Sequence, residues 1–266
     1  MERLVEHYLE LYSTENAVLE EALNSIQLMS ITVELDSEPT ASEIEKAING
    51  LANGKAPGND AIPSEVIKQG ITVLLLHLHE LLSLCWREGE VPQDMRDAKI
   101  ITLLKNKGDR SYCNTYREIS LLRVVGKVFA RVVLARLQIL ADRIYPESQC
   151  GFRSGRYTVD MIFSVRQLKE KCKEQQQPLY LAFVNLTKAF ELVSSTELFK
   201  LHEKIGCPPK LLSIIASFHV NMHSTVSFDG EISELIKIDS GVKQGNVLVA
   251  TRFWIFFSLI LTYLLT

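Results

Sequence analysis

Residues 179–193 read Leu-Tyr-Leu-Ala-Phe-Val-Asn-Leu-Thr-Lys-Ala-Phe-Glu-Leu-Val, and the interpretation of the whole chain depends on this stretch. Its first half alternates and then fills with apolar side chains, which is typical of a strand buried on both faces of a sheet. One polar residue, Asn185, stands where that strand should end, a frequent position for a metal or phosphate ligand. A core strand followed by an ordinary turn at Asn185 explains the same pattern. The local pattern leaves both interpretations open.

The charge of the chain is unevenly distributed. The formal net charge is −3 and the pI is near 6.1, which is not typical of a nucleic-acid-binding protein. Residues 1–50 contain eleven acidic and two basic side chains, whereas the remainder contains 27 basic and 21 acidic ones. A nucleic-acid partner is therefore compatible with the body of the chain and not with its N-terminal arm. With 266 residues and 47% hydrophobic content, the chain can bury a substantial core.

The five cysteines lie far apart and form no Cys-x-x-Cys pair, which argues against a disulfide framework or a zinc finger. His219 and His223 are four residues apart, but no glutamate follows His219 as a metalloprotease helix would require. The N-terminus has no basic and apolar segments of a secretory signal. These features predict an intracellular protein, either cytoplasmic or nuclear.

The first part of the chain is predicted to be mostly helical. Residues 1–23 have the pattern of acidic amphipathic helices, and residues 31–39 of a short extended link. Thr40 and Glu43 form a capping-box pattern that opens a helix reaching to Gly54. Residues 54–63 contain two glycines and two prolines, which predicts a rigid loop, and residues 64–87 form an apolar helical stretch.

The second part alternates strands and helices. Residues 98–108 predict a strand that leads into a charged turn, and residues 116–122 the returning strand. Helices are predicted over 124–145, over 159–177, from Ser194 to Gly206 and over 208–220. Thr225–Phe228 and Leu235–Ile238 are predicted to pair as a hairpin with a connection longer than two residues.

Phe183–Glu191 resembles the first catalytic motif of reverse transcriptases from non-LTR (LINE-type) retrotransposons, a class of transposable element. In that family the motif is Phe-Val-Asp-Leu-Thr-Lys-Ala-Phe-Asp, and its first Asp binds the catalytic metals. Here that position is Asn185. Phe190 matches the bulky residue that screens the sugar 2′ position, and Glu191 matches an Asp that is not a metal ligand.

Three other segments carry the same resemblance. Residues 55–63 are similar to a Lys-Ala-Pro-Gly-x-Asp-Gly-Ile-Pro loop, with Ala61 in place of its second Gly, so a positive φ there would strain the backbone. Residues 149–153 resemble Gln-x-Gly-Phe-Arg. Residues 241–248 resemble Gly-Val-Lys-Gln-Gly-Cys-Val-Leu, in which Gln244 and Gly245 would approach the nucleotide and the template.

The resemblance implies a set of phosphate-binding cations. Lys105 and Arg117 match the hairpin residues that face the triphosphate of the incoming nucleotide, a task suited to cations because arginine can engage two oxygens. Arg153 and Arg156 are expected to contact the phosphates of a nucleic acid. Glu118 replaces the family's Gly or Pro and would place an anion beside the triphosphate.

Nucleotidyl transfer in this family uses two Mg²⁺ ions, which carboxylates must hold. Asn185 supplies an amide at the first carboxylate position, and the sequence ends before the second motif, x-Ala-Asp-Asp, could occur. The resemblance thus implies an RNA-directed DNA polymerase (a nucleotidyltransferase) by descent, with RNA template and DNA primer as the family's partners. We expect a truncated, degenerate pseudoenzyme that is inactive, binds no metal and uses no small-molecule cofactor.

The expected fold is α+β: the fingers and a partial palm of a right-hand polymerase, with an antiparallel sheet, packed helices and no thumb. The expected divisions are an acidic helical arm (1–39), a fingers-like region (40–178) and a partial palm (179–266). The last fourteen or so residues are uncharged but shorter than the roughly twenty that a membrane helix needs, which favours a buried helix. The alternative is a non-enzymatic interaction or RNA-binding protein derived from such a domain, membrane-associated through this helix.

Overall fold

The fold is α+β, with helices packed around a mixed five-stranded sheet. The computed structural model describes residues 1–13, 26–105, 108–186, 193–238 and 247–265. Within them the strands are β1 (Ala98–Leu104), β2 (Tyr116–Leu122), β3 (Met222–Phe228), β4 (Glu231–Ile232) and β5 (Ile236–Ile238). The α-helices are α1 (Glu2–Ser13), α2 (Ala41–Asn49), α3 (Ser64–Gln69), α4 (Ile71–Glu88), α5 (Gln93–Arg96), α6 (Val124–Ala141), α7 (Thr158–Glu174), α8 (Ser195–Lys204), α9 (Pro209–Ser217) and α10 (Val249–Leu265).

The strand order is β2-β1-β3-β4, and β5 pairs with β3 beside β4. The β1–β2, β3–β4 and β3–β5 pairs are antiparallel, but β1 and β3 run parallel, with Ala98 opposite Ser224. The prediction of an antiparallel sheet was therefore wrong for the central pair. The long connection through β2 and several helices returns the chain in its original direction, which is what a parallel pair requires.

The predicted hairpin after β3 has a different connection. Asp229 and Gly230 both have positive φ (51° and 83°), as the two-residue turn favoured between antiparallel strands requires. This turn joins β3 directly to the short β4, and β5 then pairs with the beginning of β3. The segment around Leu235–Ile238 was correctly predicted to pair, and Asp229-Gly230 to lie in the connection, but the short strand β4 was missed.

The helix signals in the first third of the chain are largely confirmed. Thr40 Oγ1 accepts a hydrogen bond from the Glu43 backbone N at 3.2 Å, and Glu43 Oε2 accepts one from the Thr40 N at 2.8 Å, so the capping box is formed. The helix stops at Gly50 rather than Gly54. Gly70 divides the predicted 64–87 helix into α3 and α4. The predicted extended link instead contains a short 3-10 turn, Val33–Asp36, that buries Leu35.

The main core surrounds α6, eleven of whose residues are buried. Trp86 from α4 and Phe218 after α9 pack against Phe129 of α6, with ring centroids 6.4 and 5.5 Å away. The helix α10 also packs here, and it buries Ile255 and Leu259. Within the described ranges, no helix combines the length and the apolar character that a membrane crossing requires.

A smaller core lies between α1 and one face of the sheet. Leu4 and Tyr8 of α1 pack with Ile100, Val226 and Ile238. The Tyr8 hydroxyl lies 3.3 Å from Thr102 Oγ1. Burial raises the pKa of Tyr8 to about 12, so the phenol stays protonated. The amphipathic helix predicted at the N-terminus thus covers the sheet; the prediction for residues 14–23 lies outside the described residues.

The strand predicted at 179–186 is not formed. These residues are neither helix nor strand, and Phe183 and Val184 are 92% and 80% exposed. A strand needs a neighbour to satisfy its backbone groups, and no described strand pairs with this segment. The preceding helix, α7, has no buried residue either. The prediction of a doubly buried strand was therefore wrong.

Candidate nucleic-acid interface

The β1–β2 hairpin puts the two predicted triphosphate ligands on one face. Arg117 pairs with Leu103, and Lys105 lies two residues beyond Leu103, so the alternation of strand side chains places Lys105 and Arg117 on the same side. The Lys105 backbone N donates to Thr115 O at 2.8 Å, which extends the ladder to this residue. Its Nζ donates to Asn114 O at 3.1 Å, whereas the Arg117 side chain is exposed. The predicted hairpin is confirmed, and the role of its two cations stays a prediction.

Glu118 does not lie beside these cations. It is the neighbour of Arg117 on β2 and therefore points to the opposite face, where it is 5% exposed. Burial is the main cause of the raised pKa of Tyr8, and the negative charge of Glu118 raises this pKa further. The expectation of an anion beside the triphosphate site was wrong because adjacent strand residues cannot share a face.

A cavity of about 480 Å³ lies over the face that carries Lys105 and Arg117. We call it the hairpin cavity. Strand residues of this face form its floor, residues of the 51–64 segment form one wall, α6 forms another, and Val247 also lines it. The lining residues are Leu51, Ala52, Lys55, Ala56, Ser64, Ile101, Leu103, Ile119, Ser120, Leu121, Lys127, Arg131 and Val247.

Close contacts hold the loop wall of this cavity in place. A Cβ on Gly58 would lie 2.7 Å from the Arg123 N, so only glycine lets the loop approach the end of β2 this closely. Lys68 Nζ donates to Leu51 O and to Asn53 Oδ1, both at 3.0 Å. Ala61 has φ 55°, so the position does take the left-handed conformation and Ala61 carries the strain that its replacement of glycine implied.

Three cations reach the hairpin cavity from two sides: Lys55 from the loop, and Lys127 and Arg131 from α6. None of the ion pairs found between described residues involves any of them. Burial lowers the pKa of Lys127, and the carboxylate of Asp60 partly opposes that shift. The partly buried Lys127 ammonium, with Lys55 and Arg131 beside it over an apolar floor, favours an anionic ligand that has an apolar part.

The predicted phosphate ligands Arg153 and Arg156 have protein partners. Arg153 Nε lies 3.2 Å from Asp142 Oδ1, and its Nη1 donates to Pro146 O at 3.1 Å. Arg156 pairs with Glu147. Both arginines therefore stabilise the 142–157 segment, and their contact with a nucleic acid stays a prediction.

Asn185 ends the exposed 179–186 segment and is itself exposed. Phe190, Gln244 and Gly245 lie outside the described residues, so their predicted contacts with nucleotide and template are not tested. Val247, two residues after the Gln-Gly pair, does reach the hairpin cavity. Val247 is thereby adjacent in space to the hairpin and to the 55–63 loop.

The described donors do not make a magnesium site. Mg²⁺ prefers anionic oxygen ligands, and Asn185 offers a neutral amide. Among the residues with described positions, no group of three histidine, cysteine, aspartate or glutamate side chains could hold a metal ion.

Other basic residues of α6 and its C-terminal end proved to be structural. Arg136 is 4% exposed and bonds to Glu43, and Arg143 Nη1 donates to Ser30 O at 3.1 Å. Lys127 and Arg131, in contrast, line the hairpin cavity. Helical spacing is the sequence signal that links these two residues, because they are four apart and share one face. The position of Lys55 at the cavity was not predicted, because it depends on the loop conformation.

A family model described as "Reverse transcriptase (RNA-dependent DNA polymerase)" matches residues 104–266. The chain is also 30% identical, over 246 residues, to the RNA-directed DNA polymerase from mobile element jockey of Drosophila melanogaster. That match covers 90% of this chain and 26% of the relative.

Two further relatives come from other transposons. The Xenopus laevis transposon TX1 uncharacterized 149 kDa protein is 27% identical over 79% of this chain and 16% of its own length. The probable RNA-directed DNA polymerase from transposon X-element of Drosophila melanogaster is 27% identical over 77% of this chain and 23% of its own length. The chain thus spans about a quarter or less of the relatives it matches. The family model covers more than half of the chain, and the chain therefore belongs to the reverse transcriptase family, in the group related to non-LTR retrotransposons.

Proposed function

We propose that this chain binds single-stranded nucleic acid through the hairpin cavity and does not itself catalyse nucleotidyl transfer. The observation that carries the binding proposal is the set of three cations, Lys55, Lys127 and Arg131, around an apolar floor. A nucleotide has both parts that such a cavity would take, a flat apolar base and an anionic phosphate. Lys105 and Arg117 extend the cationic face beyond the cavity, toward the end of the hairpin.

The hairpin cavity supports a fingers-like assignment for residues 40–178. This range contains the loop wall, the β1–β2 hairpin and α6, which together surround the cavity. We assign residues 1–39 to an N-terminal arm and residues 179–266 to a partial palm of the right-hand polymerase architecture. The arm assignment is supported by α1, which packs on the sheet face opposite the cavity.

The proposal of inactivity rests on Asn185. A reverse transcriptase of this group carries its first metal-binding Asp at this position, and a neutral amide cannot replace the charge that a pair of Mg²⁺ ions requires. The chain is then a degenerate pseudoenzyme that retains affinity for a template or primer. The alternative, partner or membrane binding through α10, has less support because this helix buries Phe253, Ile255 and Leu259 inside the chain.

Lys127→Met is expected to weaken the binding of a single-stranded RNA and its dependence on salt. Methionine keeps most of the unbranched length of lysine and has no charge, so one phosphate contact disappears. Each phosphate contact contributes roughly −0.7 to the slope of log K against log salt concentration for single strands. Filter retention should be measured between about 50 and 200 mM salt. The slope of the variant should be smaller in magnitude than that of the unmodified chain by about 0.7–1.

The matched control is Lys169→Met, which removes a lysine charge from the exposed surface of α7. This variant should bind RNA like the unmodified chain. If both variants lose the same part of the salt dependence, binding follows the total charge and the hairpin cavity is not the site. If the unmodified chain retains no RNA, the binding proposal is wrong altogether.

The unmodified chain is expected to show no Mg²⁺-dependent extension of a DNA primer on a homopolymer RNA template. The assay should include Asn185→Asp, which restores the carboxylate at this position. A reaction without Mg²⁺ is the control for background incorporation. Extension by the unmodified chain would disprove the inactivity proposal, whereas extension by Asn185→Asp alone would assign the inactivity to this single amide.

A further inference from the structure

Phe152 combines two unfavourable features. Its backbone is left-handed, with φ 56°, a conformation that is strained for a bulky side chain. Its aromatic ring is also 63% exposed to solvent, so the strain is not offset by deep burial. Residues held in this way are concentrated at sites that bind ligands.

The left-handed conformation at position 152 would be unstrained if a glycine occupied it. Gly155, three residues later, has φ 72° and takes the left-handed conformation at no steric penalty. Gly151, directly before Phe152, is not among the residues with positive φ. A glycine at position 152 would suit the backbone better, and the aromatic side chain is the feature that a glycine could not supply.

Phe152 lines two cavities. One, of about 550 Å³, contains Arg156 and Tyr157 in its lining, and the other, of about 260 Å³, contains Arg153 and Thr251. The larger volume lies within the range of small-ligand pockets. This exposed aromatic residue therefore borders two open spaces, each of which is also lined by an arginine.

Arg156 is available to an anionic ligand despite its ion pair. Its side chain is 35% exposed and that of its partner Glu147 is 80% exposed. Exposed ion pairs contribute little free energy, so a phosphate can replace this carboxylate at small expense. Arg153 is held more firmly, because its side chain is only 15% exposed, but its partner Asp142 is 48% exposed. Aromatic rings interleaved with arginines are the usual means of holding single-stranded nucleic acid without sequence preference.

We propose that Phe152 is a stacking platform for an unpaired nucleobase, with Arg153 and Arg156 beside the phosphates of the same strand. The inference rests on the proposed nucleic-acid binding and adds a second contact to it, outside the hairpin cavity. The second cavity beside Phe152 includes Val247, which also lines the hairpin cavity, so one strand can reach both places.

The test is Phe152→Gly in the full chain, with oligoadenylate as the probe. Removing the ring should lower the affinity about tenfold, because base stacking on an aromatic side chain contributes that order of binding. The melting temperature should hold or rise, because glycine relieves the left-handed backbone. Phe152→Trp should restore the affinity, since indole also stacks. An abasic strand of the same length should bind the unmodified chain and Phe152→Gly equally.

Phe163→Ala is the matched control, because Phe163 is 61% exposed but lies on α7 and lines neither cavity. This variant should bind oligoadenylate normally. If the unmodified chain binds oligoadenylate and Phe152→Gly binds it with the same affinity, the stacking inference is wrong and the proposed function still stands. A fall in melting temperature with equal losses for base-bearing and abasic strands would assign Phe152 a purely structural role. Failure of the unmodified chain to bind either strand would overturn the proposed function and this inference together.

Discussion

Arg136→Met is expected to destabilise the chain by about 3–5 kcal/mol, because it removes one partner of a buried hydrogen-bonded ion pair. The Arg136 guanidinium lies 2.9 Å from Glu43 Oε1 and donates to the carbonyls of Leu35 and Ser37 at 3.0 and 2.5 Å. It also stacks over Trp86, 4.5 Å from the ring centroid. One side chain thus ties α6 to the 35–43 segment. Thermal or denaturant unfolding would measure the loss.

Arg131→Met is the matched control for this prediction. Arg131 lies on the same helix, only partly buried, and takes part in none of the ion pairs found between described residues. Its replacement should change the free energy of unfolding by less than about 1 kcal/mol. Equal losses for the two variants would mean that helix α6 responds to any lost arginine, and the bonds of Arg136 would then not be the cause.

The dependence of stability on pH gives a second measure of the same ion pair. Although burial opposes it, the hydrogen bonds from Arg136 and from the Thr40 backbone hold the pKa of Glu43 below its ordinary value of 4.5. The stability from Glu43 is therefore present above pH 4.5 and is lost as the pH falls through the lowered pKa. Arg136→Met should lose less stability than the unmodified chain over that acid range.

Arg252→Met is expected to stabilise the chain by about 1–4 kcal/mol, in contrast to the loss expected for Arg136→Met. The reason is that replacing a buried charge by an apolar side chain is often favourable. Arg252 is fully buried, and its three guanidinium nitrogens have no hydrogen-bond acceptor among the described residues. The nearest compensation is the Phe199 ring, 5.2 Å from the guanidinium carbon. Burial lowers the pKa of Arg252 to about 9, so the group is still charged at neutral pH.

The position of His202 supports this prediction. Burial is the main cause, and the nearby Arg252 cation a smaller one, of a His202 pKa lowered to about 3. This histidine is therefore neutral and does not balance the charge of the arginine. Arg252→Lys, which keeps a buried charge, is the control and should not stabilise. Unfolding of both variants, followed by circular dichroism, would measure the difference. A loss of stability in Arg252→Met would show that the guanidinium has an effective acceptor.

Local sequence signals predicted the elements whose cause is local. The capping box at Thr40, the β1–β2 hairpin and helix α6 each follow from a spacing within one segment, and the structure contains all three. The strand at 179–186 failed for the complementary reason. Its apolar pattern is strong, but a strand depends on a neighbour that the pattern cannot supply.

The candidate site was predicted in part. The resemblance located Lys105 and Arg117, and strand alternation alone would have moved Glu118 to the opposite face. The hairpin cavity could not be predicted, because it depends on the close approach of the 55–63 loop to β2 at Gly58 and on Val247, far along the chain. The left-handed backbone at Phe152 was also beyond sequence patterns, since the adjacent Gly151 is the residue that the patterns favour for it.

The parallel pairing of β1 with β3 has a consequence for folding during synthesis on the ribosome. About 120 residues separate the two strands, so β1 leaves the exit tunnel with one edge unpaired and waits for its neighbour while the helices between are translated. An open edge of this kind invites pairing with other nascent chains. Chaperone dependence and co-translational aggregation should therefore be concentrated in the interval before β3 emerges.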